Sequence, residues 1–327
     1  MRYFVTGATG FIGGHLVRQL VERGDDVVAL VRSPDAADSL PSAVDVVVGD
    51  VTDKASMREG MSGVDGVFHL AAWYRIGERD PATAERVNVE GTRNVLELMA
   101  ELDVPKGVYT STLAVFSDTN GVLVDETYRH EGPHLSVYDR TKWRAHHEVA
   151  EPMIDDGLPL VVVMPGAVYG PGDRGPMWML WRSYLEGELP IVPKRVAYCW
   201  SHVEDTAAAH LGAMDAGVPG ESYIIAGEPH TLEEAFERAA QITGIDAPRA
   251  ISPVVFGLLS RLVAPFESFL RLPPEYTAES LRLLAGVTYL GDNAKAKREL
   301  GIHHRPFEEG LAETLRAERA RLRASDD

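Results

Sequence analysis

The sequence predicts an α/β protein: a doubly wound parallel sheet with a smaller α/β region at the C-terminal end. Three observations carry this. Short, almost wholly apolar runs alternate with longer runs of helical spacing through the first half. Strands of that kind are buried on both faces, as in a parallel sheet covered by helices. A glycine-rich turn joins the first strand to the first helix, and after Pro165 the rhythm breaks into a loop crowded with Gly166, Gly170, Pro171, Gly172, Gly175 and Pro176. The expected division is residues 1–165 for the sheet domain, with a later strand able to join it. Residues 166–327 would mainly cover the C-terminal strand ends, where ligands of such sheets bind.

The elements follow in order. Tyr3–Thr6 reads as a short strand. Phe11–Arg23 places Ile12, Leu16, Leu20 and Val21 on one helical face, and Gly24 supplies a stop. Asp26–Val31 and Val44–Val48 are apolar strands, the second ending in Gly49-Asp50. Asp53 is an N-cap for a short helix to Met61. Gly66–Leu70 is a strand, Ala82–Leu102 a long helix, Gly107–Ser111 a strand, Ser136–Asp156 a second long helix and Leu158–Met164 a strand. Beyond them stand short strands at Pro190–Val192 and Ser222–Ile225 and an amphipathic helix over Phe307–Arg323.

Charge narrows the function. With 32 basic and 49 acidic residues the net charge is −17, which repels phosphate backbones and anionic lipid. Neither nucleic acid nor membrane is expected as a partner. The single cysteine, Cys199, forms neither an intramolecular disulfide nor a multi-cysteine zinc site. Only six basic residues are lysines, which suits a salt-rich host and equally an arginine-biased genome. No signal-peptide pattern opens the chain, and Val254–Val263 is too short to span a bilayer, so a cytoplasmic enzyme is expected.

The turn Thr6-Gly7-Ala8-Thr9-Gly10-Phe11-Ile12-Gly13 has the G-x-x-G-x-x-G spacing. Gly7 allows the sharp turn, Gly10 the approach of a pyrophosphate, and Gly13 close helix packing. The helix N-terminus then offers free N–H groups to the phosphates, with Thr9, Phe11 and Ile12 alongside. The residue after the second strand decides the cofactor. An acid there would bind the ribose hydroxyls of NAD, but Arg32 stands there instead, followed by Ser33. A guanidinium pairs with a 2′-phosphate, so NADP is expected ahead of NAD. The alternative has Arg32 solvated and Asp35 turned to the ribose. Asp50 and Val51, after the third strand, would bracket the adenine or simply form a turn.

Tyr138-Asp139-Arg140-Thr141-Lys142 contains Tyr-x-x-x-Lys. Positions i and i+4 share a helix face, so Lys142 is expected beside the Tyr138 phenol. A cation there lowers a tyrosine from about 10 toward neutrality and makes it a usable acid or base. With these motifs in hand the chain resembles the extended short-chain dehydrogenase/reductases, a group that includes the NAD(P)-dependent epimerases and dehydratases. Further marks are Gly49 to Asp53, Val67 to Ala72, Asn88 to Asn94, Tyr109 to Thr112 and Pro165 to Gly172. The resemblance implies a Rossmann domain and puts the hydroxyl that holds substrate beside Tyr138 on Thr112. It puts Leu70, Ala71, Ala72, Pro165 and Val168 around the nicotinamide and has Asn88 ordering the active-site strand and helix. It also implies a homodimer through the two long helices.

The reaction narrows further. Thr112 is followed by Leu113-Ala114-Val115, with no acid for eliminating water, so dehydration is disfavoured. The run Lys194 to Asp205 lacks the Gln and the Arg-Asp pair common in nucleotide-sugar epimerases. Ala29 to Pro34 and Trp73-Tyr74-Arg75 resemble instead the dihydroflavonol-reductase-like branch and the hopanoid-associated sugar epimerases. The expected pocket is aromatic, drawn from Trp73, Tyr74, Tyr169, Trp178, Trp181, Tyr184, Tyr198 and Trp200, some of them core. Arg174 and Lys194 are candidates for an anionic substrate group or solvated charges. The expected activity is hydride transfer to or from a secondary alcohol or ketone of a small, ring-bearing molecule. Epimerisation by transient oxidation is the alternative, and a non-catalytic NADP sensor the third. No metal is expected: His146-His147 and His303-His304 are adjacent pairs, and helix neighbours do not converge on one ion. His15 and His69 are read as packing or backbone-capping groups.

Overall fold

The computed structural model describes residues 1–77, 80–266, 272–273 and 277–326. Its first half runs β1 (Arg2–Thr6), α1 (Phe11–Arg23), β2 (Asp26–Val31), β3 (Asp45–Val48), α2 (Lys54–Met61), β4 (Gly66–His69), α3 (residues 81–101), β5 (Gly107–Thr110), α4 (residues 137–155) and β6 (Leu160–Met164). The remainder runs β7 (Ala167–Tyr169), α5 (Pro176–Leu185), β8 (Ile191–Pro193), β9 (Ala197–His202), α6 (Val203–Ala216), β10 (Ser222–Ile224), β11 (Glu228–Thr231) and α7 (Leu232–Thr243). It ends with β12 (Arg249–Ile251), α8 (Pro253–Val263), α9 (Ala278–Leu283), β13 (Thr288–Tyr289), α10 (Ala294–Leu300) and α11 (Phe307–Asp326).

Seven parallel strands form the main sheet in the order β10-β6-β5-β4-β1-β2-β3. The apolar runs explain it: every residue of β4 and β6 is buried, because helices cover both faces. On one face Leu16, Val17 and Leu20 of α1 pack with Ala209 and Ala213 of α6. On the other, Met57 of α2, Val95, Leu96 and Met99 of α3 and Val149 of α4 form the core. The strand order reverses beside β1, between β2 and β4, which opens a crevice at the C-terminal strand ends. β3 differs from its apolar sequence, since Val46 and Val48 are exposed. It is the sheet's edge, with a neighbour on one side only.

Local signals held the helix ends. Gly24 closes α1 in the left-handed conformation at φ 86°, and Asp53 caps α2 by accepting from the Ala55 N–H. The two long helices run where expected, but each contains a wide π-helical turn, Arg86–Glu90 in α3 and Ala145–Ala150 in α4. Such turns concentrate at functional sites, and these turn Asn88 and His146 into the buried interior.

The chain after β6 divides its work. β7, β11 and β13 surround β9 in a small sheet, and β8 pairs with β12. Tyr169, Trp181, Tyr184, Trp200, Phe236 and Phe307 form the core of this part. Between these elements α6 and β10 return to the main sheet, where His210 joins α6 to β5 through the Thr110 hydroxyl.

Candidate active site

The crevice is floored by the turn after β1. Gly7 has φ 73°, and a Cβ there would lie 2.7 Å from the Ala71 nitrogen. A Cβ on Gly13 would lie 2.1 Å from the Gly7 carbonyl oxygen. Both positions therefore require glycine for close backbone packing, as the motif predicted. Gly10 and Thr9 are exposed at the mouth, Phe11 and Ile12 half-buried. No side chain caps α1 and no acid sits in its first turn, so its N–H groups and positive dipole end face the crevice. Arg32 is exposed just beyond β2, with no carboxylate partner among the described residues. These features fit a dinucleotide: a cradle too tight for side chains, open N–H groups for phosphate, and an unpaired guanidinium for a ribose phosphate.

The other cofactor residues take different places. The Asp50 carboxylate accepts from both the backbone and the hydroxyl of Thr52, which makes it a turn-former. Val51 is buried against Gly91 in the core. Leu70 and Ala71 follow β4 against the Gly7 turn, and Ala72 is exposed. Pro165 is buried and accepts the Leu113 N–H, while Val168 lies half-buried on β7.

The expected catalytic residues are brought together by β5 and α4. Ser136 caps α4 by accepting from the Asp139 N–H, which sets Tyr138 in the first helical turn. The Tyr138 phenol hydrogen-bonds to Thr112, whose hydroxyl also accepts the Ala114 N–H. Burial pushes the Tyr138 phenol well above its usual range, although the Thr112 hydrogen bond works the other way and the Asp139 charge adds to the rise. This is opposite to the lowering expected from Lys142, and the geometry gives the reason. Lys142 reaches back to β5, donating to the Tyr109 hydroxyl at 2.9 Å and the Thr110 carbonyl at 2.8 Å. It lies 4.6 Å from the centre of the Tyr109 ring and is buried, which lowers its ammonium to about 7.

Asn88 fixes this arrangement. Its carbonyl accepts the Trp73 N–H, and its amide donates to the Trp73 carbonyl and the Thr141 hydroxyl. It thereby ties the strand end after β4 to α4, in agreement with the expected ordering role. His69 is buried, but it bridges two side chains rather than capping backbone: its two ring nitrogens meet the hydroxyls of Thr6 at 2.7 Å and Thr92 at 3.0 Å, and burial lowers its pKa to about 3.

The substrate residues divide. Tyr74 packs at a tilt against Tyr138, 4.6 Å between ring centres, with Trp73 next to it under Arg75. Tyr198 stacks on Tyr289 at 5.9 Å. Tyr169, Trp181, Tyr184 and Trp200 are core. Trp178 lies between the guanidinium groups of Arg182 and Arg321, in a small cleft against α11, and Arg174 is exposed.

Sequence reasoning missed three groups. Asp139 is buried, accepts from the Ser136 and Tyr289 hydroxyls, and is pushed up to about 7 by burial. Tyr289 comes from β13. Glu279 of α9 accepts the Val137 N–H at the start of α4 and the Gly77 N–H. Asp139 was legible as a polar residue inside the Tyr-x-x-x-Lys run; no local signal marks the other two. The reading of the histidine pair also changes. The wide turn of α4 brings ligand atoms of His146, His147 and Glu151 within 4.8 Å of one another. Adjacent positions alone gave no such convergence. Glu151 is held by Arg129 at 2.8 Å and His146 by Ser111 at 2.9 Å.

Residues 3–226 match the model of the NAD dependent epimerase/dehydratase family. The chain is 32% identical to a putative dihydroflavonol 4-reductase of Synechocystis sp., over 96% of this chain and 93% of that protein. It is also 32% identical to sterol demethylase protein B of Methylococcus capsulatus, over 92% and 93%. The crystal structure of gox2253 superposes with a TM-score of 0.85 at 30% identity, covering 98% of each chain. The glycine turn, the Thr112–Tyr138–Lys142 group and these matches agree: the chain belongs to the NAD-dependent epimerase/dehydratase family, enzymes of the extended short-chain dehydrogenase/reductase type.

Proposed function

We propose that this enzyme reduces a ketone, or oxidises the corresponding secondary alcohol, on a small, largely apolar, ring-bearing substrate, with NADP as its dinucleotide. The observation that carries the reading is the placement of the Tyr138 phenol, hydrogen-bonded to Thr112 and packed at a tilt against Tyr74 at the mouth of the crevice. The bound dinucleotide supplies the hydride. Thr112 and Tyr138 hold the substrate oxygen between their hydroxyls, and in reduction Tyr138 gives that oxygen its proton. Burial keeps the phenol in the acid form that this step needs. An ammonium has three donors. Lys142 uses two on Tyr109 and Thr110, which would leave the third for the nicotinamide ribose. Arg32 holds the 2′-phosphate.

Trp73, Tyr74 and Tyr198 give the substrate an aromatic wall, and relatives named for a dihydroflavonol and a sterol support the same class. Dehydration finds no support, because Leu113 and Ala114, where the acidic pair would stand, are apolar, the first buried and the second half-buried against the core. The test is a titration of NADPH against NADH, followed by a panel of cyclic ketones. Turnover with NADPH that falls by about 10²-fold or more in Tyr138→Phe, with NADPH affinity unchanged, is the expected result. Inversion of a stereocentre with no net cofactor consumed would make the enzyme an epimerase. Unchanged turnover in Tyr138→Phe would refute the acid–base assignment.

A further inference from the structure

We infer that α8 and its basic flank attach this enzyme to the surface of an anionic lipid bilayer. The helix is apolar on both sides. Pro253, Phe256 and Ser260 turn inward. Val254, Val255, Leu258, Leu259 and Leu262 form an outer stripe at helical spacing, 42–66% exposed, and Phe266 continues it at 59%. A helix apolar all round is normally covered by protein or lipid. At eleven residues it cannot cross a membrane, and no described helix is long and apolar enough to do so. Its length suits lying in the interface with the stripe sunk among acyl chains.

The charge says which cover fits. The chain has 49 acidic residues, yet residues 247–266 contain none. Lys194, Arg195 and Arg249 line a groove of about 560 Å³ at the N-terminus of α8, and none pairs with a carboxylate among the described residues. Arg261 is exposed on the helix itself. The net charge of −17 describes the whole surface; this face is locally basic, as a patch recognising phospholipid headgroups must be. A second copy meeting the same face across a two-fold axis would bring these cations onto one another.

The position is purposeful. The Ser260 hydroxyl donates to the Ala278 carbonyl, which fastens α8 to α9. Glu279 of α9 in turn receives the N–H of Val137, next to Tyr138. One helix therefore separates the apolar stripe from the catalytic helix. Delivery of a water-insoluble substrate along that path rests on the proposed reaction; attachment to lipid does not.

The test is flotation of the full-length enzyme with phosphatidylcholine vesicles, with and without phosphatidylglycerol, at low and high salt. Binding to the phosphatidylglycerol vesicles, weakened by salt, is expected. Leu258→Asp/Leu262→Asp should weaken it by about tenfold or more, with thermal stability and turnover of a soluble substrate retained. Lys194→Glu/Arg249→Glu, both at exposed positions, should abolish the preference for anionic lipid. Val122→Asp/Leu123→Asp, exposed elsewhere, should leave binding intact. Wild-type enzyme that stays free of all vesicles at low salt overturns the proposal, and so does equal binding by the α8 and basic-patch variants. If light scattering shows that Leu258→Asp/Leu262→Asp splits a dimer while wild type ignores lipid, the face joins two copies and the proposal fails.

Discussion

Lys142→Met tests the electrostatics of the site most directly. Methionine nearly matches the lysine stem and removes the ammonium. In the folded enzyme the ammonium is lowered to about 7 by burial, against about 10.4 in an unfolded chain. The sign follows from proton binding. Between these values the unfolded chain holds a proton that the folded enzyme has released, so wild-type stability rises with pH. Below the folded value the lysine is charged in both states, and its burial penalty is fully present. Each pH unit in the window is worth about 1.4 kcal/mol. Wild type should therefore gain about 3 kcal/mol on the variant between pH 7.5 and 9.5. Loss of the bonds to Tyr109 and Thr110 costs the variant a pH-independent amount, about 1 kcal/mol each. That shifts the difference without changing its slope. Urea unfolding of both proteins at several pH values in this range measures it, and buried tyrosines common to both cancel. Parallel stability profiles would refute a buried, half-neutral Lys142. Turnover should be lost in the variant, because it lacks the amino group that bonds Tyr109 and Thr110 and that is proposed to hold the ribose.

Other perturbations follow from the same geometry. Gly13→Ala puts a methyl group against the Gly7 carbonyl and should cost about 1–3 kcal/mol of stability; fluorescence titration should show NADPH binding lost with it. Arg32→Asp should reverse the preference from NADPH to NADH by at least about tenfold in kcat/KM, since one charged hydrogen bond is worth about 1.5–3 kcal/mol; an unchanged ratio would return Arg32 to the solvent. Asn88→Ala leaves the Trp73 backbone groups and Thr141 without their partner. It should lower kcat more than it raises KM, and Asn88→Asp should not restore the amide donor bonds. Asp139→Asn removes a carboxyl pushed up to about 7. For such a group the folded state holds the proton longer, so wild-type stability falls as pH rises from about 4 to 7. The variant should lose that fall, which thermal unfolding at pH 5 and 7.5 would detect.

Much of the fold was legible because its signals are local. β1, the glycine turn and α1 declare themselves within a few residues, although only Gly13 is required by a nearby backbone group, the Gly7 carbonyl, while Gly7 is required by Leu70 and Ala71 after β4. The Tyr-x-x-x-Lys run was legible for the same reason. What it meant for Lys142 was not. Helical spacing puts the lysine on the tyrosine's face, but its acceptor is Tyr109 on a strand thirty-three residues earlier. The aromatic residues fared likewise. Composition cannot tell Tyr74, which packs against Tyr138, from Tyr169, which packs on Trp200. That choice is made by which strand faces which core. The wide turn that gathers His146, His147 and Glu151 is equally silent in a pattern read at 3.6 residues per turn.

The largest contribution that local reading missed comes from the end of the chain, and it explains how the site is held. Tyr138 stands in the first turn of α4, the part of a helix with the fewest internal hydrogen bonds. Left alone, that turn would fray. Ser136 satisfies one N–H from within. Glu279, 142 residues away, satisfies the Val137 N–H and places a carboxylate at the positive end of the helix. Tyr289 grips Asp139, the next residue after Tyr138, from the other side. The same segment is anchored to the loop after β5, where the Asp118 carboxylate accepts the Thr288 N–H. The turn that carries Tyr138 is thus clamped on both flanks by residues 277–289, and these residues also hold α8. A substitution at Glu279 or Tyr289 can therefore reach Tyr138 without touching it, through the tilt of one helical turn.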